Sequence, residues 1–293
     1  PAAVTGGITQ INQLIGTAIA SGKASTVSAL AYADRVYQLP LGVVGIAVAI
    51  VLLPELARAL KAGDDVEAAN LQNRSVEFTL FLTLPAAAAL LVISEPIVRV
   101  LYERGAFTAT NGTPTVSAIL AIFALGLPAF VLIKAFTPGY FAREDTRTPM
   151  IFAAISVAVN VSLALALFPT LAGSGIAIAS AVAGWVNAGL LLGMLVRRGQ
   201  WSRDALLMRR IPRLTIAAAV MAGALYAASR TFASSLGPSA PFYEQASVLA
   251  VMVAGAMVVY FVTAFAIGGA DIRTVRRSFR RDRATSSAAE PEI

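Results

Sequence analysis

The stretch YADRVYQLPLG, residues 32–42, holds the side chains best suited to chemistry in this sequence. Asp34 and Arg35 stand at the head of a run, 36–54, that contains no charge. Tyr37 and Gln38 carry the polar character one turn further, and Pro40, Gly42 and Gly45 follow. A guanidinium is planar, stays protonated, and offers a fork of N–H donors that fits two oxygens of a phosphate or carboxylate. Arg35 among these neighbours therefore suits an anionic ligand better than an apolar one. Two readings compete. An arginine at the end of an apolar run can snorkel to an interface at little cost, and arginines often flank such runs. Alternatively, Pro40 and the glycines loosen the helix, and Asp34, Arg35, Tyr37 and Gln38 meet a ligand together with freed backbone groups. Asp34 and Arg35 are adjacent, so on a helix they diverge and need not pair. A second polar cluster comprises Thr9, Gln10, Asn12, Gln13 and Thr17, whose spacing puts amides and hydroxyls on one helical face. Such a face either bonds to a neighbouring helix or lines a wet cavity. The string of amides favours the cavity, so Asn12 and Gln13 join the candidate site.

The elements that must hold these residues are set by where charge is missing. Of the 293 residues, 57% are hydrophobic and only 13% charged, against about 25% charged in an average soluble domain. Uncharged stretches run over 1–22, 36–54, 78–94, 105–133, 148–196, 214–229 and 245–270. A helix needs about 20 mostly apolar residues to cross the hydrocarbon core of a bilayer. The longest stretch has room for two crossings, with FPTLAGSG (168–175) as the turn between them. The expected fold is therefore an all-α polytopic membrane protein with about eight transmembrane helices, near 3–20, 27–54, 78–94, 114–134, 149–168, 174–196, 212–232 and 244–268. A re-entrant segment would reduce the number to seven. The runs are rich in Ala, Leu and Val without strict alternation, which argues against a barrel.

Between the spans, residues 55–77 read as an amphipathic segment along one membrane face, and 95–108 as a short amphipathic helix on the other. Pro85 and Pro128 are expected kinks, and 136–149 is expected to be a loop. If residue 1 is cytoplasmic and every span crosses once, seventeen Lys and Arg fall on the cytoplasmic side: Arg58, Lys61, Arg74, Arg143, Arg147, Arg197, Arg198, Arg203, Arg209, Arg210, Arg213 and six between Arg273 and Arg283. Four fall outside, namely Lys23, Arg99, Arg104 and Arg230, with Arg35 and Lys134 at or within span ends. Lys/Arg excess in short loops marks the cytoplasmic side, so both ends of the segment are expected there. The net charge of +7 follows this topology and contact with anionic lipid, and does not call for a nucleic-acid partner.

Cysteine and histidine are both absent, which removes thiolate chemistry, disulfides and most zinc or iron sites. An embedded transferase would need clustered acids for a metal. The candidates are Asp64/Asp65 and Glu144/Asp145, short pairs better read as solvated loop charges. No cofactor is expected, and the reading is not an enzyme. The first residues lie inside an apolar stretch, which predicts further helices upstream.

Four segments carry a family resemblance, in order and spacing: TQINQLI (9–15), YADRVYQLPLGVVGIAVAIVLLPELARAL (32–60), LYERGAFT (101–108) and TPGYFAREDTRTPM (137–150). Together they resemble the MurJ/MviN family of lipid II flippases, within the multidrug/oligosaccharidyl-lipid/polysaccharide exporter superfamily. The resemblance implies a fourteen-helix transporter of two six-helix lobes plus a final pair. Residues 1–200 would form the second lobe, 201–270 the extra pair with a possible groove for a lipid tail, and 271–293 a basic cytoplasmic tail. It implies alternating-access translocation of lipid II, an undecaprenyl-pyrophosphate-linked substrate, across the bacterial inner membrane, in partnership with the missing N-terminal lobe. Arg35 beside Asp34 would belong to the cationic cavity, and Arg143 and Arg147 are candidate gate residues, or plain cytoplasmic loop charges. Gly16 stands where several relatives carry a sodium-binding Asp, and the fifth span offers only Ser156, Asn160 and Ser162. Sodium coupling is therefore not expected. The alternatives are another lipid-linked oligosaccharide or a drug as cargo, or a membrane scaffold without transport.

Overall fold

The computed structural model describes residues 14–23, 25–105, 107, 112–201 and 204–269, without the side chains of 46–51. Asn12, Gln13, Arg203 and the tail arginines lie outside the described residues. Nine helices are described: α1 (14–20), α2 (Thr26–Lys61), α3 (Asp65–Val92), α4 (Ser94–Tyr102), α5 (Gly112–Phe141), α6 (Arg147–Leu171), α7 (Gly173–Arg197), α8 (Ala205–Thr231) and α9 (Phe242–Ala266). Among the described residues six helices, α3 and α5 to α9, are long and apolar enough to cross a membrane. Helix α2 has 36 residues, about 54 Å at 1.5 Å per residue, and so exceeds the width of a bilayer. The all-helical membrane architecture is the expected one.

In a bilayer core each backbone N–H and C=O must find a partner within its own segment, so an apolar run folds as an uninterrupted helix. Continuity goes further than the uncharged runs suggested. Helix α2 passes through Pro40 and Pro54, α3 through Pro85, and α5 through Pro128 and Pro138. The backbone around Pro40, Gly42 and Gly45 is therefore helical, not opened for a ligand. Residues 55–77 do not form a separate surface segment. Helix α2 runs on to Lys61 and α3 starts at Asp65, with Leu56 fully buried. The turn is built from local chemistry. Gly63 takes φ 73°, a left-handed geometry that costs glycine least, and the Asp64 carboxylate accepts the Glu67 N–H at 2.9 Å to cap α3. Helix α5 likewise shortens the expected 136–149 loop to 142–146, and α6 and α7 are separated only by Ala172.

Helix α5 is the centre of the bundle. It packs on α2, α3 and α7; α6 covers α7, and α8 packs on α3 and α9. Its Ile119, Leu120, Leu127 and Tyr140 are fully buried. Close approach is set by glycine where a side chain would collide. A Cβ at Gly126 would lie 3.1 Å from the Ala181 backbone of α7. Side chains with one polar tip then lock helix to helix. The Tyr140 hydroxyl donates to the Leu191 carbonyl at 2.6 Å, Tyr260 to Phe81 at 2.7 Å, and the Trp185 indole to Leu125 at 2.9 Å. Each satisfies an apolar-bodied residue whose hydroxyl or N–H has no water to bond.

The two ends of the bundle differ. One carries the α2–α3, α5–α6 and α7–α8 links and is rich in arginine; the other carries α4 and the α8–α9 link. The short helix α4 falls within the expected amphipathic 95–108 segment, with Val98 fully buried. Arg99 pins it there, pairing with Glu95 at 2.6 Å and Glu103 at 3.0 Å and donating to the Leu236 carbonyl at 2.7 Å.

Candidate functional site

The four site residues of α2 are sorted by the helical period. Ala33, Val36, Tyr37 and Val44 share the face turned into the core. Tyr37 is 6% exposed, with its ring centroid 5.4 Å from Phe123 and 6.2 Å from Phe130 of α5. The structure does not bring Tyr37 to the side of Arg35 and Gln38. Those two are exposed, beside Leu39 and Val43, which are 67% and 73% exposed. Asp34 sits between the two faces, half-buried. Its carboxylate accepts from the Gln38 amide one turn along, so its polar partner is Gln38 and not the adjacent Arg35.

Arg35 takes part in none of the four ion pairs among the described residues. Its surroundings are aromatic. Tyr32, Tyr102 and Phe107 cluster with ring centroids 4.8 Å, 5.3 Å and 6.0 Å apart, and the Tyr102 hydroxyl donates to the Tyr32 carbonyl at 3.3 Å. Burial pushes the Tyr102 phenol up and the charge of Arg35 opposes the shift, which puts the guanidinium beside this cluster. Arg35 thus has donors to spare at the α4 end of the bundle, where it is exposed.

At the arginine-rich end two arginines are held in ion pairs. Arg198, at the end of α7, donates to Asp145 at 2.5 Å and to the Thr148 hydroxyl at 3.0 Å. Asp145 also accepts the Thr148 N–H at 3.0 Å and its hydroxyl at 2.6 Å, capping the start of α6. Partial burial raises the Asp145 pKa, but the bonds from Arg198 and Thr148 outweigh it and hold the carboxyl down to about 2. Arg210 of α8 pairs with Glu77 of α3 at 2.5 Å. Arg143 donates to the Gly139 carbonyl of its own helix at 2.8 Å, and Arg147 is exposed. The two gate candidates thus lie beside a built latch formed by Asp145 and Arg198. Sequence reading missed that latch, although an arginine-rich link and an acidic link on one side were its visible signal.

The remaining candidates are accounted for by packing. Ser156 of α6 donates to the Ala183 carbonyl at 2.8 Å, and Asn160 accepts from Ser180 at 3.3 Å, both across the α6–α7 contact. Ser162 is exposed, and a Cβ at Gly16 would meet nothing within 4 Å. Asp64 and Asp145 are caps, and among the described residues no group of three or more acids is placed to hold a metal ion.

Long apolar helices around α5, with arginine-rich links at one end, define a multi-pass helical membrane protein. Among solved structures the fold resembles an outward-facing multidrug resistance MATE family transporter of the MOP superfamily. The match has a TM-score of 0.59 at 15% identity and covers 89% of this chain and 62% of that one. A MOP superfamily transporter from Pyrococcus furiosus is matched equally well, with a TM-score of 0.59 at 14% identity over 89% of this chain and 62% of that one.

The chain belongs to the family described as lipid II flippase MurJ, which matches residues 1–244. A Rhizobium meliloti protein named "Probable lipid II flippase MurJ" is 68% identical over 98% of this chain and 54% of its own length. A Rhizobium tropici protein of the same name is 58% identical over 97% and 53%. The chain therefore spans about half the length of these relatives.

Proposed function

We propose that this chain is the lobe of a lipid II flippase that receives the pyrophosphate end of the substrate, working with helices supplied by the rest of a longer protein. The observation that carries the reading is Arg35: exposed, without an ion-pair partner among the described residues, on an apolar helix of a chain from this family. A charge on an apolar span costs free energy, and its retention without an acid is best explained by an anionic ligand. Gln38 and Asp34 flank it as the polar wall, Asn12 and Gln13 join them from the first span, and Tyr37 supports α2 from behind. A cation in this place disfavours cationic drugs as cargo. Residues 1–200 act as the lobe, 201–270 as the added pair and 271–293 as a basic tail. The seventeen-to-four distribution of Lys and Arg supports placing the arginine-rich end in the cytoplasm, at a bacterial inner membrane. Arg143 and Arg147, beside the Asp145–Arg198 latch, close that end when the cavity opens outward.

The test uses cells depleted of their own flippase and complemented with the full-length gene product at matched membrane levels. Outer-leaflet lipid II is measured for wild type, Arg35→Ala and Arg35→Lys. Wild type is expected to restore it and Arg35→Ala to lose at least about tenfold, the scale of one charge-assisted contact. Full activity in Arg35→Ala would remove the headgroup role.

A further inference from the structure

Lys134 lies within the spanning helix α5, seven residues and about 10 Å of helix from its arginine-rich end. Its side chain lies across Gly45 of α2. A Cβ at Gly45 would stand 2.4 Å from Lys134 Cδ and 2.8 Å from Nζ, so glycine there is what lets the ammonium reach the surface of α2. Lys134 is half-exposed, and none of the ion pairs among the described residues involves it. It is a second membrane-level cation with no acid beside it.

Its place relative to Arg35 follows from helix geometry. Arg35, Gln38, Gly42 and Gly45 fall at i, i+3, i+7 and i+10, which is one stripe of α2. Ten residues separate its ends, about 15 Å along the axis. Gly42, between them, has nothing within 4 Å of where a Cβ would be, and Gln38 turns its amide to Asp34. The stripe thus has Arg35 at one end, Lys134 of α5 lying over the buried Gly45 at the other, and open space at Gly42 between them.

We infer that Lys134 is a second contact for the phosphate-bearing end of the substrate, at the level of the arginine-rich half, and that this end passes along α2 between Lys134 and Arg35. The inference rests on the flippase reading and adds to it a residue and a path. The chemistry required is a phosphate or pyrophosphate, on a lipid or free.

The test measures equilibrium binding to the full-length gene product in nanodiscs of zwitterionic lipid. The probes are undecaprenyl pyrophosphate, undecaprenol and inorganic pyrophosphate. Lys134→Met keeps the aliphatic stem and removes the charge. It is expected to weaken undecaprenyl pyrophosphate about tenfold and to leave undecaprenol unchanged. Gly45→Ala, which displaces the ammonium without removing it, is expected to give the same selective loss. If Lys134→Met binds the pyrophosphate lipid like wild type while Arg35→Ala does not, the inference falls and the flippase reading stands. Equal weakening for undecaprenol would make Lys134 a packing residue and overturn the inference. Inorganic pyrophosphate binding as tightly as the lipid would overturn the lipid path. A wild type that does not prefer the pyrophosphate lipid over undecaprenol would overturn both readings.

Discussion

At the arginine-rich end, Arg198 and Arg210 each meet a carboxylate at 2.5 Å, across 53 and 133 positions of sequence. Arg35 on α2 and Lys134 of α5, which lies across it, meet none among the described residues. Both regions use the same cationic side chains, and the difference lies in the supply of acids. Where the chain leaves the apolar core, Asp145 and Glu77 are at hand, and two of the arginines there fasten separate segments together. Beside Arg35 the acid of α2, Asp34, accepts from Gln38, so neither cation is tied into an ion pair among the described residues, which is what the proposed ligand role requires. Charge in a membrane protein is thus read through its partner and not through its residue type.

The contrast makes separable predictions. The largest loss of stability is expected for Glu77→Ala, which leaves Arg210 unpaired between α3 and α8. It should cost about 2 kcal/mol, between the values for exposed and buried pairs. A double-mutant cycle with Arg210→Ala should recover a coupling of at least about 0.5 kcal/mol, and additive effects would reduce the pair to a bystander. Asp145→Ala removes both the latch and the α6 cap and should cost about 1–2 kcal/mol in chemical denaturation. Its pH signature sharpens the comparison. Because the folded-state carboxyl is held down to about 2, the contribution of Asp145 is complete above about pH 4, the unfolded value, and is lost as pH falls toward 2. The wild type should therefore lose stability over that window, and Asp145→Asn should lose less. Tyr140→Phe, which deletes the bond to the Leu191 carbonyl, should cost about 1 kcal/mol. The smallest effect belongs to the stripe. Lys134→Met should change stability by less than about 0.5 kcal/mol, since no partner is lost. A loss matching that of Asp145→Ala would dissolve the distinction between fastening and binding cations.

Much of this was legible in the order of residues. The lengths of the uncharged runs define a polytopic helical membrane protein, because a bilayer admits few alternatives. Asp34 and Arg35 stood out because they interrupt that pattern. Other features were not legible. The turn at 62–64 was hidden because charges at Arg58, Lys61 and Asp65 look like the edge of a membrane and yet sit on helices that continue beyond it. Tyr37 looked like a neighbour of Arg35 because adjacency in sequence does not say which way a helix turns its side chains until the core face is known. Lys134 looked like a span-end charge, since nothing near it in sequence announces Gly45.

By itself, then, the sequence determined the class and the family, since hydropathy and short ordered segments are local properties that survive without coordinates. Only the tertiary structure decided which cations are paired. An ion pair such as Arg210–Glu77 joins residues 133 positions apart, and Lys134 reaches α2 only because α5 packs close enough for Gly45 to admit it. Those outcomes depend on distances between helices, which are set by packing across the whole bundle.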